Sequence, residues 1–282
     1  MNEREFEPTI RRIVVALDAS IHSLAALEAA STLAGLLNAE LVGVFVEDIN
    51  LLRLAGLPFA RELNAWSALE RPLDPLAMER QLRLQAAKVR QALAGVATRR
   101  NIRWSFRIAR GQVTGEILTA AAEADLLALG KASWAATRHV RLGSTARAVI
   151  AQATHAILLL QQGGTICPPI QVVYDGSPAG VRALVTAARL VAVTGGHLTV
   201  IILADTAEAG QRLQEEATEH LREWQGQAYY RSLVNPSIED LARFIHLTGG
   251  GTLVMSAEHP LLAGEGLPTL LDAIECSALL VR

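Results

Sequence analysis

Cysteine is almost missing from this 282-residue chain: Cys167 and Cys276 stand far apart, with no Cys-x-x-Cys and no neighbouring histidine pair. Two isolated thiols exclude a disulfide framework and offer no zinc-site spacing. Histidine adds nothing to a metal set, because His155, His197, His220 and His246 share no short spacing. Aromatic residues are 4% of the chain, and Trp66, Trp104, Trp134 and Trp224 are too scattered to make a stacking platform. Neither charge sign prevails, since 26 Lys and Arg against 28 Asp and Glu leave a net charge of -2. A nucleic-acid surface needs clustered basic residues, so nucleic acid is not an expected partner. No run approaches the ~18 uncharged apolar residues of a membrane span. The mixed-charge start Met1–Glu7 lacks the apolar core of a signal peptide. A cytoplasmic location with no membrane partner is therefore expected. No Walker pattern and no Ser/His/Asp or Cys/His constellation is present in sequence.

What the chain does have is Ala, Leu and Val in continuous apolar runs, the pattern of a parallel sheet covered by helices on both faces. Its length suits two domains, because domains cluster at roughly 100 to 150 residues. The runs also repeat. Ile13 to Leu17 leads into Asp18-Ala19-Ser20, and Ile170 to Tyr174 leads into Asp175-Gly176-Ser177. Each Asp-x-Ser precedes an Ala/Leu-rich helical stretch, and a second strand begins 23 residues after the Asp in both copies, at Leu41 and at Leu198. Leu24, Leu27, Ala34 and Leu37 share one helical face, as do Val181, Leu184, Val185 and Ala188. Asn38 and Gly195-Gly196 supply helix stops.

The closing strands correspond too, Thr154 to Leu160 with Cys276 to Val281. From the Asp to the closing Ala the first copy takes 138 residues and the second 103. Most of the excess is an insertion at 48–90, in which Asp74-Pro75 can cap and open a helix with Leu82, Val89, Leu93 and Val96 on its apolar face. The Gly- and Pro-rich stretch 163–169 reads as a linker. The expected division is residues 1–164 and 165–282. Each part reads βαβαβαβαβ, with strands near 12–18, 41–47, 102–109, 125–130 and 155–160, then 170–175, 198–204, 227–234, 252–256 and 277–281. The expected fold class is α/β, two tandem open parallel-sheet domains with right-handed crossovers.

The most informative stretch runs from Asp125 to Leu160. A short strand ending at Gly130 enters a polar loop, and Gly143-Ser144-Thr145 opens a helix. Helix-start N–H groups have no intrahelical partner and the helix dipole adds positive charge, so this turn can seat an anion. In open α/β sheets ligands lie beyond the carboxyl ends of strands, where Asp18, Val46 and Gly130 fall. Asp18 is either a ligand contact to ribose, base or metal, or a loop aspartate capping the next helix. Gly130 either permits close approach of a ligand or serves a turn. Arg138, His139, Arg141 and Lys131 are either phosphate donors or an exposed basic loop.

The pattern Gly130-x2-Ser133-x9-Gly143-Ser144-Thr145, together with Val15-Ala16-Leu17-Asp18-x-Ser20, resembles the universal stress protein family. The resemblance covers both halves and implies a tandem member of that adenine-nucleotide α-hydrolase-like fold. It further implies binding of ATP or another adenine nucleotide, with or without Mg2+, as a regulatory rather than catalytic event. Carried over from the family, Ala16, Leu17 and Asp18 line the nucleotide site at the first-strand end. Val46 lies beside the base, Leu129 and Gly130 lie near base and ribose, and Gly143, Ser144 and Thr145 form the phosphate turn. Ser133 stands where nucleotide-binding members carry a second glycine. It incurs a steric cost at positive φ that glycine does not, or its hydroxyl contacts ligand.

In the second half Ser256 ends the fourth strand where the first has Gly130, and Glu265 falls opposite Gly143. A carboxylate there repels phosphate. The second half is thus expected to be degenerate and empty, serving as an intramolecular pseudo-dimer partner; a homodimer and an unidentified protein partner are further expectations. Two alternatives stand beside nucleotide binding: a scaffold that recruits a partner through 48–90, and slow ATP hydrolysis supported by Asp18 and Mg2+.

Overall fold

The computed structural model describes residues 10–63, 70–131, 141–161 and 164–282. In the first half the apolar run becomes β1 (Arg12–Leu17), followed by α1 (Ile21–Leu37) and β2 (Glu40–Asp48). The insertion then supplies α2 (Ile49–Ala55), a hairpin of β3 (Arg61–Leu63) and β4 (Glu70–Pro72), and the long α3 (Pro75–Arg100). Next come β5 (Trp104–Gly111), α4 (Val113–Ala121), β6 (Leu126–Gly130), α5 (Ser144–Gln152) and β7 (Ala156–Leu160). The second half repeats the plan with β8 (Ile170–Tyr174), α6 (Pro178–Thr194), β9 (Leu198–Ala204), α7 (Ala207–His220) and β10 (Ala228–Val234). It closes with α8 (Ile238–Leu247), β11 (Thr252–Ser256), α9 (Gly266–Ala273) and β12 (Ser277–Val281).

All ten strands read from the sequence are present within two residues of their expected ends. The α2 element and the β3–β4 hairpin were not foreseen, because runs this short carry no usable period. Helix ends follow local chemistry. Asp74 accepts from Leu76 N–H at 3.0 Å with Pro75 opening α3. Asn38 stops α1 in the left-handed region at φ 51°.

The two halves do not form separate sheets. One ten-stranded sheet runs β10-β9-β8-β11-β12-β7-β6-β1-β2-β5. Its pairs are parallel except at the centre, where β12 meets β7 antiparallel with Leu279 opposite Leu158. Both halves have the same internal order, and the antiparallel seam relates them by an approximate twofold axis. The strands at the seam are nearly wholly apolar and buried. Left as edges they would template aggregation, and pairing them removes both edges at once. The outer edges β5 and β10 instead carry exposed Arg107, Arg110 and Arg231.

Alternation along each strand feeds two core layers. On one face Ile13, Val15, Leu126, Leu158, Leu279, Val172 and Val200 pack under α1, α3 and α6. On the other Val14, Leu127, Ile157, Leu280, Val173 and Ile201 pack under α4, α5, α8 and α9. Each layer continues across the seam.

The Asp-x-Ser turn is the same device in both halves. Asp18 Oδ1 accepts from Ser20 N–H at 2.9 Å, and Ser20 caps α1 by accepting from Ser23 N–H at 3.1 Å. Asp175 and Ser177 repeat this, with Ser177 accepting from Gly180 N–H at 2.9 Å. The middle residue lies in the left-handed region in each copy, Ala19 at φ 62° and Gly176 at φ 77°. Alanine is strained there and glycine is not. Ala19→Gly should therefore raise unfolding stability by about 0.5–1 kcal/mol, net of the greater entropy of unfolded glycine. Gly176→Ala should lower it by at least about 1 kcal/mol. Urea unfolding of both variants measures the signs, and a destabilised Ala19→Gly contradicts the strain.

Candidate functional site

In each half the chain leaves the first strand toward one side of the sheet and returns to the fourth strand on the other. In the first half this places the switch between β1 and β6, where helix N-termini gather beyond the strand ends. A cavity of about 310 Å³ lies there, at the small end of the roughly 300–1,000 Å³ of small-molecule sites. Ala16, Leu17 and Asp18 at the end of β1 line it, with Val46 of β2, Leu129 and Gly130 of β6, and Gly143 and Thr145 at the start of α5. The structure thus brings together eight of the residues singled out from the sequence. Ser144 opens α5 but is exposed and lies outside the lining. Ser133, Trp134, Arg138 and His139 lie outside the described residues, and Arg141 is exposed.

The phosphate turn is built from backbone. Gly143 is the N-cap of α5, has no side chain to satisfy the first N–H groups, and donates its own N–H to Lys131 O at 2.9 Å. That bond closes the base of the loop and aims the first turn of α5 at the cavity. Among the described residues no Lys or Arg lines the cavity. A bound anion would rest on uncapped N–H groups and the dipole.

Gly130 and Asp18 both have structural roles beside the cavity. Gly130 serves packing as well as lining the cavity: a Cβ there would stand 3.0 Å from the backbone carbon of His22 in the first turn of α1, a tight contact that the missing side chain relieves. Asp18 does serve the turn, as shown above, and it also lines the cavity while remaining exposed.

Lys131 requires a correction. It is neither a phosphate donor nor part of an exposed basic loop, being 3% exposed. Its Nζ donates to Ile274 O in the second half at 2.6 Å, and Gln161 Nε2 donates to the same carbonyl at 2.9 Å. Burial lowers the pKa of this ammonium, opposed by the charges of Asp272, Cys276 and Glu275. The same burial pushes the neighbouring Cys276 thiol up to about 11.

The sequence reading missed much of the wall. Val44 and Phe45 on β2, Asp48 at its end, Leu51 on α2, Leu82 and Gln85 on α3, and Val113 and Ile117 on α4 all face the cavity. The insertion at 48–90 is therefore part of the site. Asp48 was findable, since it ends a strand on the carboxyl edge; it accepts from Asn50 N–H at 2.8 Å as the cap of α2. The α3 residues carried no local signal.

The second half carries different groups at the equivalent positions. Glu265 is the N-cap of α9 as Gly143 is of α5, and its carboxylate pairs with Arg147 of the first half at 2.9 Å. The short loop after β11 carries His259, whose Nε2 lies 3.8 Å from Asp175 Oδ2, the counterpart of Asp18. Tyr174 replaces Leu17 and is wholly buried, which raises its pKa to about 12. A further cavity of about 360 Å³ overlies the seam between α1 and α6, lined by Leu33, Leu37, Leu190, Val281, Arg189 and Arg282 among others. It meets the C-terminal half of α1, which presents carbonyls rather than N–H groups. No helix among the described residues is long and apolar enough to cross a membrane, and no group of three or more potential metal ligands occurs among them.

The buried ammonium of Lys131 has a measurable sign. Its folded pKa lies below the usual 10.5, so the unfolded chain binds the extra proton between the two values and stability rises with pH across that window. The cost of burying the charge is fully present below the folded pKa and gone above the unfolded one. The stability of the wild type relative to Lys131→Met should therefore improve as pH rises toward the usual lysine value of 10.5. Paired urea titrations measure it, and a pH-independent difference contradicts the assignment.

The profile described as the universal stress protein family matches residues 9–161. Among solved structures, a universal stress protein from Archaeoglobus fulgidus superposes with a TM-score of 0.76 at 14% identity, covering 98% of this chain and 99% of that one. A putative universal stress protein from Pseudomonas aeruginosa gives 0.59 at 15% identity, with 99% and 95% covered. A functionally unknown protein from the same species gives 0.59 at 16%, with 99% and 94% covered. At such identities these likenesses speak to fold alone, and they extend it across both halves. No curated protein matches the chain. The family match spans more than half of the sequence and includes every cavity residue of the first half, so the chain belongs to the universal stress protein family.

Proposed function

We propose that the first half binds an adenine nucleotide, ATP or a close relative, and that binding rather than turnover is the output. The observation that carries this reading is the pairing of two unlike surfaces in one cavity. An apolar slot formed by Val44, Val46, Leu129 and Ile117 suits a flat base, and the uncapped start of α5 at Gly143–Thr145 suits phosphate. Asp18 and Asp48 also line the cavity and supply acceptors for ribose hydroxyls. Both carboxylates already hold turn N–H groups, which supports a binding role over general-base work. The division into residues 1–164 and 165–282 belongs to this proposal, with the second part acting as a closed partner of the first.

Nucleotide at 100-fold above its Kd should stabilise the protein by about 2.7 kcal/mol and raise Tm by several degrees. Gly143→Asp should abolish that shift. It places a carboxylate in the phosphate seat while supplying the cap that α5 lacks, so the nucleotide-free Tm stays within a degree or so of wild type. Melting scans with ATP, ADP and AMP decide the matter, and the absence of any shift at millimolar nucleotide removes the reading. Phosphate release with and without Mg2+, in wild type and Asp18→Asn, should give no metal-dependent turnover.

One observation favours a second reading. Leu51, Leu54, Leu57 and Phe59 on α2 and the turn after it are 41 to 76% exposed, a surface suited to a protein partner. In this scaffold reading the purified protein carries no nucleotide, and nucleotide recovered after denaturation argues against it.

A further inference from the structure

Both ends of the loop that carries the phosphate turn are tied to one helix of the opposite half. At its start, Lys131 Nζ donates to Ile274 O, the C-cap of α9, at 2.6 Å. At its end, Leu142 N–H donates to Asp272 Oδ1 at 2.6 Å. The other oxygen of Asp272 lies 3.5 Å from the Arg147 guanidinium, one turn into α5. The ends are joined by the Gly143 N–H to Lys131 O bond at 2.9 Å. No atom of α9 lines the nucleotide cavity, so any influence acts through position.

We propose that Asp272, on the second half, is a positioning residue for the phosphate seat of the first: by holding Leu142 and Arg147 it sets where the N–H groups of Ser144 and Thr145 point. The inference rests on the nucleotide reading for its effect on affinity, but not for its effect on the loop base. Leu142 is 6% exposed, and its N–H loses a strong charged acceptor if the carboxylate is removed. The Arg147–Glu265 pair is the lesser tie, because Glu265 is 83% exposed and exposed pairs contribute little.

The sign of the effect separates positioning from charge alone. A carboxylate near a phosphate site repels the ligand, so removing it by simple electrostatics tightens binding. Positioning demands the reverse for Asp272→Ala, which leaves Leu142 N–H without its acceptor. ATP binding by the full chain should weaken about tenfold in Asp272→Ala. Asp272→Asn, which keeps an acceptor oxygen, should stay within about threefold of wild type, and Glu265→Gln should change little.

Amide hydrogen exchange gives a readout that needs no ligand. In Asp272→Ala the amides of residues 142–146 should exchange at least tenfold faster while those of β1 and β6 keep their protection. Unchanged exchange at 142–146 overturns the proposal whether or not ATP binds. Faster exchange with wild-type or tighter ATP binding also overturns it, since the loop base would then move without consequence for the seat. Faster exchange in a protein whose wild type binds no ATP supports the tether and removes the nucleotide reading instead.

Discussion

The antiparallel pairing of β7 with β12 is the interaction on which the rest of the molecule depends. Each closing strand is an apolar ribbon that no single half could leave exposed, and each finds its only parallel neighbour on one side. Joining them fixes the approximate twofold, brings α1 beside α6 on one face, and brings α5 beside α9 on the other. The contacts of Lys131, Leu142 and Arg147 with the second half follow from that adjacency. The division of labour does as well. One half holds a cavity beyond β1 and β6; the other, with the same strand order, sets His259 beside Asp175 and meets the first half through Asp272 and Ile274.

The repeat explains what was legible in the sequence. Apolar runs, Asp-x-Ser turns and equal spacings are local and periodic, and they point to the strands and helices; strand ends and the helix start point to Asp18, Val46, Gly130 and Gly143, and the family resemblance adds Ala16, Leu17 and Leu129. The alignment of Glu265 with Gly143 also held in three dimensions, since both are N-caps of the helix after the fourth strand. What stayed hidden was set by distance in the chain. Leu82 and Gln85 reach the cavity only because a long α3 lies across β2, and nothing in their neighbours reports it. Lys131 looked like a loop cation because charge beside a glycine usually means solvent. Its burial comes from a carbonyl 143 residues away. The fusion of two sheets into one was likewise invisible, since an apolar closing strand reads the same whether its far side meets a helix, a partner or a second copy of itself.

The turn after each first strand shows how one local design serves two outcomes. The hydrogen bonds are shared, yet the first half places Ala19 where the second has glycine. Beside the open cavity the strained residue carries a methyl group packed against the core. Beside the closed one, glycine makes room for Leu213. Strain and side-chain contact are thus traded differently at equivalent positions, in step with what the neighbouring space contains.

The two core layers, unbroken across the seam, carry a consequence for handling the protein in pieces. A chain cut near residue 164 would yield fragments that each keep five strands of the large sheet but bare one apolar ribbon and half of a shared interior. Such fragments would be expected to stick to one another or to themselves rather than report on either half. The two halves share one sheet and both core layers, so the natural unit of experiment is the intact chain.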